Sequence, residues 1–228
     1  MGILSHEQVT LLTDYDADSA YTKAYHTLYA NIRFNWDREQ VKQQSILLTT
    51  PTAYSGQATA AANVAIAAAQ DGTPTILVDA DLCAPSLQQC FGSNKHAGLS
   101  DLLTSNAITA EAIPPHLSKT FMLDLYLLSA GQAAIQPPQI SRLFSTKLRA
   151  VLDSLRQFLA EIESRPSIII FHGPSALTGT DASQIGALVG QTFLTIVSGH
   201  TTRTQAKQAQ EQLQRAHAKL AGIIMLDN

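Results

Sequence analysis

A chain of 228 residues, 45% hydrophobic and 14% charged, is long enough to cover a full sheet on both faces within one domain. Fifteen Lys and Arg against eighteen Asp and Glu give a formal net charge of −3, which supplies no electrostatic case for nucleic acid. Two cysteines, Cys83 and Cys90, fit a reduced compartment and lack metal-ligand spacing.

In chain order, Met1 to Leu12 mixes His6, Glu7 and Gln8 into its apolar residues, unlike a signal peptide, and no later run approaches the ~20 apolar residues of a membrane span. The expectation is a cytoplasmic protein, recruited to the inner membrane only through a partner. Residues 17–34 read as an N-terminal helix. Ser45–Thr50 reads as a buried strand, followed by a loop holding Pro51 and Gly56 and an alanine-rich helix over 58–70 that Asp71-Gly72 ends. Thr75–Asp79 and Leu125–Leu128 are further strands, and Pro114, Pro115, Pro137 and Pro138 mark surface loops. Helical periodicity over 146–163 carries Leu148, Leu152, Leu155 and Leu159 and leads into the strand Ser167–Phe171. A helix over 181–190, a strand over 193–197, a helix over 202–218 and a strand over 222–226 complete the chain. Strands without polar alternation, separated by helices, predict an α/β fold. Its mostly parallel sheet is covered by helices on both faces as three α/β/α layers, in one domain of 1–228.

The first strand–loop–helix unit is where such a sheet holds phosphates. A working P-loop needs glycines for close backbone approach, a Lys for the β- and γ-phosphates, and a Ser or Thr hydroxyl on Mg²⁺. Here the loop runs Thr50-Pro51-Thr52-Ala53-Tyr54-Ser55-Gly56-Gln57-Ala58-Thr59. Gly56 is in place. Gln57 stands at the lysine position and Ala58 at the metal-binding hydroxyl.

In this order of segments the chain resembles the cytoplasmic domain of the bacterial tyrosine kinases of capsule and exopolysaccharide assembly, cousins of the Min/Par partition ATPases. The matching pieces are Tyr25-His26-Thr27-Leu28, Asn31-Ile32-Arg33-Phe34, Ile76-Leu77-Val78-Asp79-Ala80-Asp81-Leu82, Pro85-Ser86-Leu87, Phe91-Gly92, Gly98-Leu99-Ser100-Asp101-Leu102-Leu103, Leu125-Tyr126-Leu127-Leu128 with Ala130-Gly131, and Ser198-Gly199-His200-Thr201-Thr202-Arg203. Against the family loop S-P-T-P-G-E-G-K-S-T, Tyr54 falls on a glycine, Gln57 on the lysine and Ala58 on the serine. The resemblance places His172 on the Walker B aspartate and Leu226 on an adenine-reading asparagine. It places Lys23, His26 and Tyr29 on the E-x-x-R-x-x-R pattern of the oligomerisation helix. The family's autophosphorylated tyrosine cluster would be expected after the last strand, but the sequence stops at Asn228.

Hydrogen bonds to charged groups contribute about 1.5–3 kcal/mol each, and phosphoryl transfer rests on positioning and charge neutralisation. Replacing lysine, hydroxyl and carboxylate together therefore predicts a catalytically inactive pseudo-kinase or pseudo-ATPase, with no catalytic residue, no metal and no cofactor expected. Tyr54 adds a penalty wherever the loop needs positive φ. Asp79 and Asp81 survive. They read either as a residual weak Mg-ATP site or as carboxylates satisfied by backbone N–H groups at a strand end, the second being preferred. His172 reads as a plain substitution, the two cysteines as packing residues, and Lys23, His26 and Tyr29 as one helical face, either an interface or solvated. What the resemblance implies is a scaffold or regulator in exopolysaccharide polymerisation and export, beside an inner-membrane polysaccharide co-polymerase. The competing readings are an ATP/Mg-binding switch and an active protein-tyrosine kinase of that pathway. A monomer or homodimer is expected, and the altered oligomerisation helix argues against an octameric ring. The lack of a span suggests a polypeptide separate from the co-polymerase or a fragment of a longer one.

Overall fold

A computed structural model of the protein describes residues 10–39, 42–92 and 97–227. Residues 1–9, read above as unlike a signal peptide, lie outside them. The strands are β1 (Gln43–Thr49), β2 (Thr75–Asp79), β3 (Leu117–Lys119), β4 (Leu125–Leu128), β5 (Ser167–His172), β6 (Gln191–Val197) and β7 (Leu220–Leu226). They form one seven-stranded sheet in the order β3-β4-β2-β5-β1-β6-β7. Every pairing is parallel except β3 with β4.

The central strands are apolar on both faces because helices cover both. Ile46, Leu48, Leu77, Ile168 and Ile170 turn to one side, against α1 (Ala20–Glu39) and α2 (Gln57–Gln70). Their neighbours Leu47, Ile76, Val78, Ile169 and Phe171 turn to the other, against α5 (Pro137–Ile162) and α6 (Asp181–Leu188). A third, smaller cluster of Ala176, Ala182, Leu194, Ala209, Leu213 and Ala218 lies under α7 (Arg203–Arg215). Short helices α3 (Leu87–Cys90) and α4 (Leu99–Thr104) follow β2.

α2 is almost wholly buried because α1 packs on its outer side, and alanine lets both helices approach closely. Asn63, buried in the middle of α2, accepts a hydrogen bond from the Leu12 N–H at 2.8 Å and donates to the Tyr21 hydroxyl at 2.8 Å. The chain ahead of α1 is thereby pinned to the helix pair.

One sequence expectation needs correction. Pro137 and Pro138 do not mark a loop: they occupy the first positions of α5, where a missing N–H costs no helical hydrogen bond, so the helix begins nine residues before its leucine periodicity becomes visible. Pro114 and Pro115 open a 3-10 turn. β3 escaped notice because three residues carry no periodicity.

Candidate functional site

In a parallel sheet the ligand crevice lies outside the carboxyl ends of the strands. Six parallel strands end along this edge: β4 at Leu128, β2 at Asp79, β5 at His172, β1 at Thr49, β6 at Val197 and β7 at Leu226. The loop after β1 is sewn to the segment after β5. The Thr49 hydroxyl donates to Pro174 O at 2.7 Å, the Ala176 N–H to Thr50 O at 2.7 Å, and the Leu177 N–H to Pro51 O at 3.1 Å.

Gln57 opens α2 and turns inward. Its Nε2 donates to Gly173 O at 2.6 Å, its Oε1 accepts from the Thr50 hydroxyl at 2.7 Å, and the residue is 6% exposed. The amide thus satisfies itself between the ends of β1 and β5. Beside it, a void of about 10 Å³ is lined by Leu28, Leu48, Val64, Ile224 and Leu226, the last being the residue set on the adenine-reading position. That is the volume of a single water-sized probe.

Tyr54 closes the loop from outside. Its ring lies on Gly56, where an added Cβ would come within 2.5 Å of Cε1, and its centroid is 5.6 Å from that of His200. Gly56 has φ −76°, so the glycine serves close approach rather than an unusual backbone. Tyr54 is not at positive φ either: among the described residues only Asp124 and His217 are non-glycine residues there. The conformational penalty considered for Tyr54 therefore does not arise. Ser55 is exposed, Ala58 is buried, and Thr59 is a hydrogen-bond partner of Cys90, whose thiol is pushed up to about 11 chiefly by burial. Cys83 is exposed and the two cysteines are free thiols.

Asp79 and His172 face each other at the ends of β2 and β5, whose register pairs them. His172 Nδ1 donates to Asp79 Oδ1 at 3.1 Å, because an ionised carboxylate can only accept. Asp79 Oδ2 accepts from the N–H groups of Ser86 and Leu87, both at 3.0 Å, and so also anchors the start of α3. Asp81 is half-buried and accepts from the Ala84 N–H at 3.1 Å. Burial raises its carboxyl above the ordinary value, offset in part by that hydrogen bond and by His172. Among the described residues no three His, Cys, Asp or Glu side chains are grouped to hold a metal ion.

On α1, Lys23, His26 and Tyr29 do not share a face. Successive residues turn by about 100°, so Lys23 and Tyr29 diverge by about 120°. Lys23 pairs with Asp18 in solvent, His26 bonds Gln70 at 3.1 Å, and Tyr29 is fully buried with its hydroxyl donating to Thr73 at 2.6 Å. The sequence reading missed Thr50, His200 and the Gly173 carbonyl. Thr50 and His200 lie inside segments it had already singled out, but which side chain each meets depends on pairings 7 to 146 residues apart.

The chain is 29% identical over 221 residues to the tyrosine-protein kinase YwqD of Bacillus subtilis strain 168, covering 97% of this chain and 87% of that one. Among solved structures, the chimerical protein CapA2B2 superposes with a TM-score of 0.78 at 27% identity, covering 95% of this chain and 88% of that one. The BceF tyrosine kinase domain gives the same TM-score and identity over 96% and 81%. In sequence and in fold the chain resembles the bacterial tyrosine kinases. No family model matches it. The fold, and the fold alone, is also that of the septum site-determining protein MinD of Pyrococcus horikoshii OT3, which superposes with a TM-score of 0.62 at 21% identity, over 80% of this chain and 70% of that one. This relative of the exopolysaccharide and capsule kinases has, among its described residues, no helix long and apolar enough to cross a membrane.

Proposed function

We propose that this relative of the bacterial tyrosine kinases is a catalytically inactive member of their family. Its role is that of a scaffold or regulator in exopolysaccharide assembly, docking on an inner-membrane polysaccharide co-polymerase. The observation that carries the reading is the inward fold of Gln57, held by Thr50 and Gly173 O where a kinase would extend a lysine toward phosphate. A neutral amide already committed at both ends supplies no charge to a triphosphate. The neighbouring groups point the same way. Ala58 offers no hydroxyl, Asp79 is committed to His172 and two backbone amides, and Tyr54 covers Gly56. These residues do not fit a magnesium–triphosphate.

Calorimetric titration with ATP and Mg²⁺, followed by incubation with labelled ATP, tests the reading. The expected outcome is no saturable heat and no phosphotyrosine. Saturable binding without turnover would replace it by the nucleotide-switch reading. Phosphotyrosine that disappears in Asp81→Asn would replace it by an active kinase. Docking is tested separately, by co-purification with an inner-membrane polysaccharide co-polymerase co-expressed with this chain.

A further inference from the structure

At the end of the sheet opposite Gln57, where β4 begins and α5 ends, lies a cavity of about 310 Å³. Antiparallel pairing sets Lys119 of the edge strand β3 directly across from Tyr126 of β4, so the two side chains stand on one face of the sheet. Leu117, two residues before Lys119, shares that face. The face is turned to α5, since Leu117 and Tyr126 both pack against the cluster that α5 covers. Phe158 of α5 meets the Tyr126 ring edge-on, with centroids 6.4 Å apart and planes at 84°. Ile162, one turn further along, lines the cavity and is left 48% exposed at the last residue of the helix.

Three charged side chains line the same space: Asp124, Glu163 and Lys119. The two carboxylates are engaged. Both oxygens of Asp124 accept from Arg165 at 3.0 Å. Glu163 Oε2 accepts from Arg165, and its Oε1 from the N–H groups of Ser164 and Arg165 at 3.0 and 3.2 Å. The Lys119 ammonium has no ion pair or hydrogen bond among the described residues, and the Tyr126 hydroxyl has no hydrogen bond among them. The charge left over is a cation, set beside two perpendicular rings. We propose that this cavity binds a planar aromatic carboxylate, its ring against Tyr126 and Phe158 and its carboxylate paired with Lys119.

Size, shape and charge select this occupant together. The volume lies at the lower end of the roughly 300–1,000 Å³ of small-ligand sites, which suits one or two fused rings. Such sites are mostly apolar and carry a few polar groups that fix orientation, as Lys119 would here. An aromatic ring adds edge-to-face contact with Tyr126 and Phe158 that a saturated ring of equal size forgoes. A cationic ligand would find carboxylates whose acceptor positions Arg165 and the backbone already fill, and a neutral one would leave Lys119 without a counter-charge. The cavity shares no residue with the loop at Gln57, so its occupancy is independent of catalytic inactivity.

Titration of the isotope-labelled protein by NMR provides the test, with 2-naphthoate, 2-naphthamide, 2-naphthylmethylamine and cyclohexanecarboxylate as probes. The expected result is saturable shifts at Lys119, Tyr126 and Phe158 with 2-naphthoate. The neutral amide and the saturated acid should each bind about fivefold more weakly, and the amine most weakly of the four. Lys119→Gln should weaken 2-naphthoate about fivefold and leave 2-naphthamide unchanged, a split that a purely structural role of Lys119 would not produce. Ile162→Trp, a substitution at an exposed position, should fill the cavity and abolish binding of both. Circular dichroism of each variant confirms that the fold is kept. Four results would each overturn the proposal: no saturable shift at those residues, an amide or amine that binds as tightly as the acid, a saturated acid equal to the aromatic one, or a 2-naphthoate affinity unmoved by Lys119→Gln.

Discussion

His172 gives its Nδ1 proton to Asp79 across 3.1 Å at the paired ends of β5 and β2, in a place where the two side chains are 2% and 0% exposed. The same carboxylate takes the first amides of α3, so one side chain holds a strand, a second strand and a helix start. Asp79→Ala leaves the imidazole and two backbone N–H groups without acceptors and should cost about 2–4 kcal/mol of stability in urea unfolding. Asp79→Asn keeps one acceptor oxygen and should cost about half as much. Were Asp79 instead a magnesium ligand, millimolar Mg²⁺ would raise the wild-type midpoint, and Asp79→Asn would remove that rise.

Gln57 makes a strut between β1 and β5, and a strut has a mechanical signature. Gln57→Ala should destabilise by about 2 kcal/mol, because the Thr50 hydroxyl and the Gly173 carbonyl lose their partner in a buried place. Gln57→Lys should destabilise as well, since an ammonium with only neutral oxygens about it is poorly solvated there. Addition of ATP and Mg²⁺ should leave both variants unmoved in a thermal melt. A rise for Gln57→Lys would mean that the pocket is intact apart from its lysine.

Gly56 tolerates no Cβ while Tyr54 lies over it, yet its backbone is ordinary. The atoms in the way belong to the end of one side chain, so the cost of Gly56→Ala should depend on that side chain. In the wild type the substitution should destabilise by about 1 kcal/mol as the ring is pushed aside, and in a Tyr54→Ala background it should be close to neutral. A double-mutant cycle by chemical denaturation measures the difference. Equal costs in the two backgrounds would show that the ring does not rest on the glycine in solution.

The sheet was legible because buried parallel strands write themselves as short apolar runs: Thr75–Asp79 and Leu125–Leu128 have the bounds read from sequence. The helix starts were less so, since Pro137 and Pro138 suit a loop and a first helical turn equally well until the following residues are seen to face a core. At the site, residue types were readable but partnerships were not. His172 looked like an isolated substitution because its partner is 93 residues away, and only the β2–β5 register brings them together. Tyr29 was misplaced for a different reason. A motif counted in threes along a helix drifts around it, and the drift carries its third member into the core.

Two carboxyls shift in opposite directions and should give opposite pH signatures. Arg165 holds Glu163 down at about 2 by direct hydrogen bonding. A depressed folded value contributes stability that is present above the ordinary 4.5 and lost as pH falls toward 2, so Glu163→Gln should flatten the acid limb of the stability curve. Asp81 is displaced the other way, by burial, from 3.8 upward. Its folded form holds the proton more tightly than the unfolded chain does, so stability declines as pH rises through 3.8 and levels off above the raised value. Asp81→Asn removes the cost of keeping a half-buried charge while retaining an acceptor for the Ala84 N–H. It should therefore melt above the wild type at neutral pH and converge with it below 3.8. Paired melts at pH 3 to 8 measure both variants on one axis. An Asp81→Asn protein less stable than wild type at pH 7 would mean that the charge is held by a partner, a bound cation included.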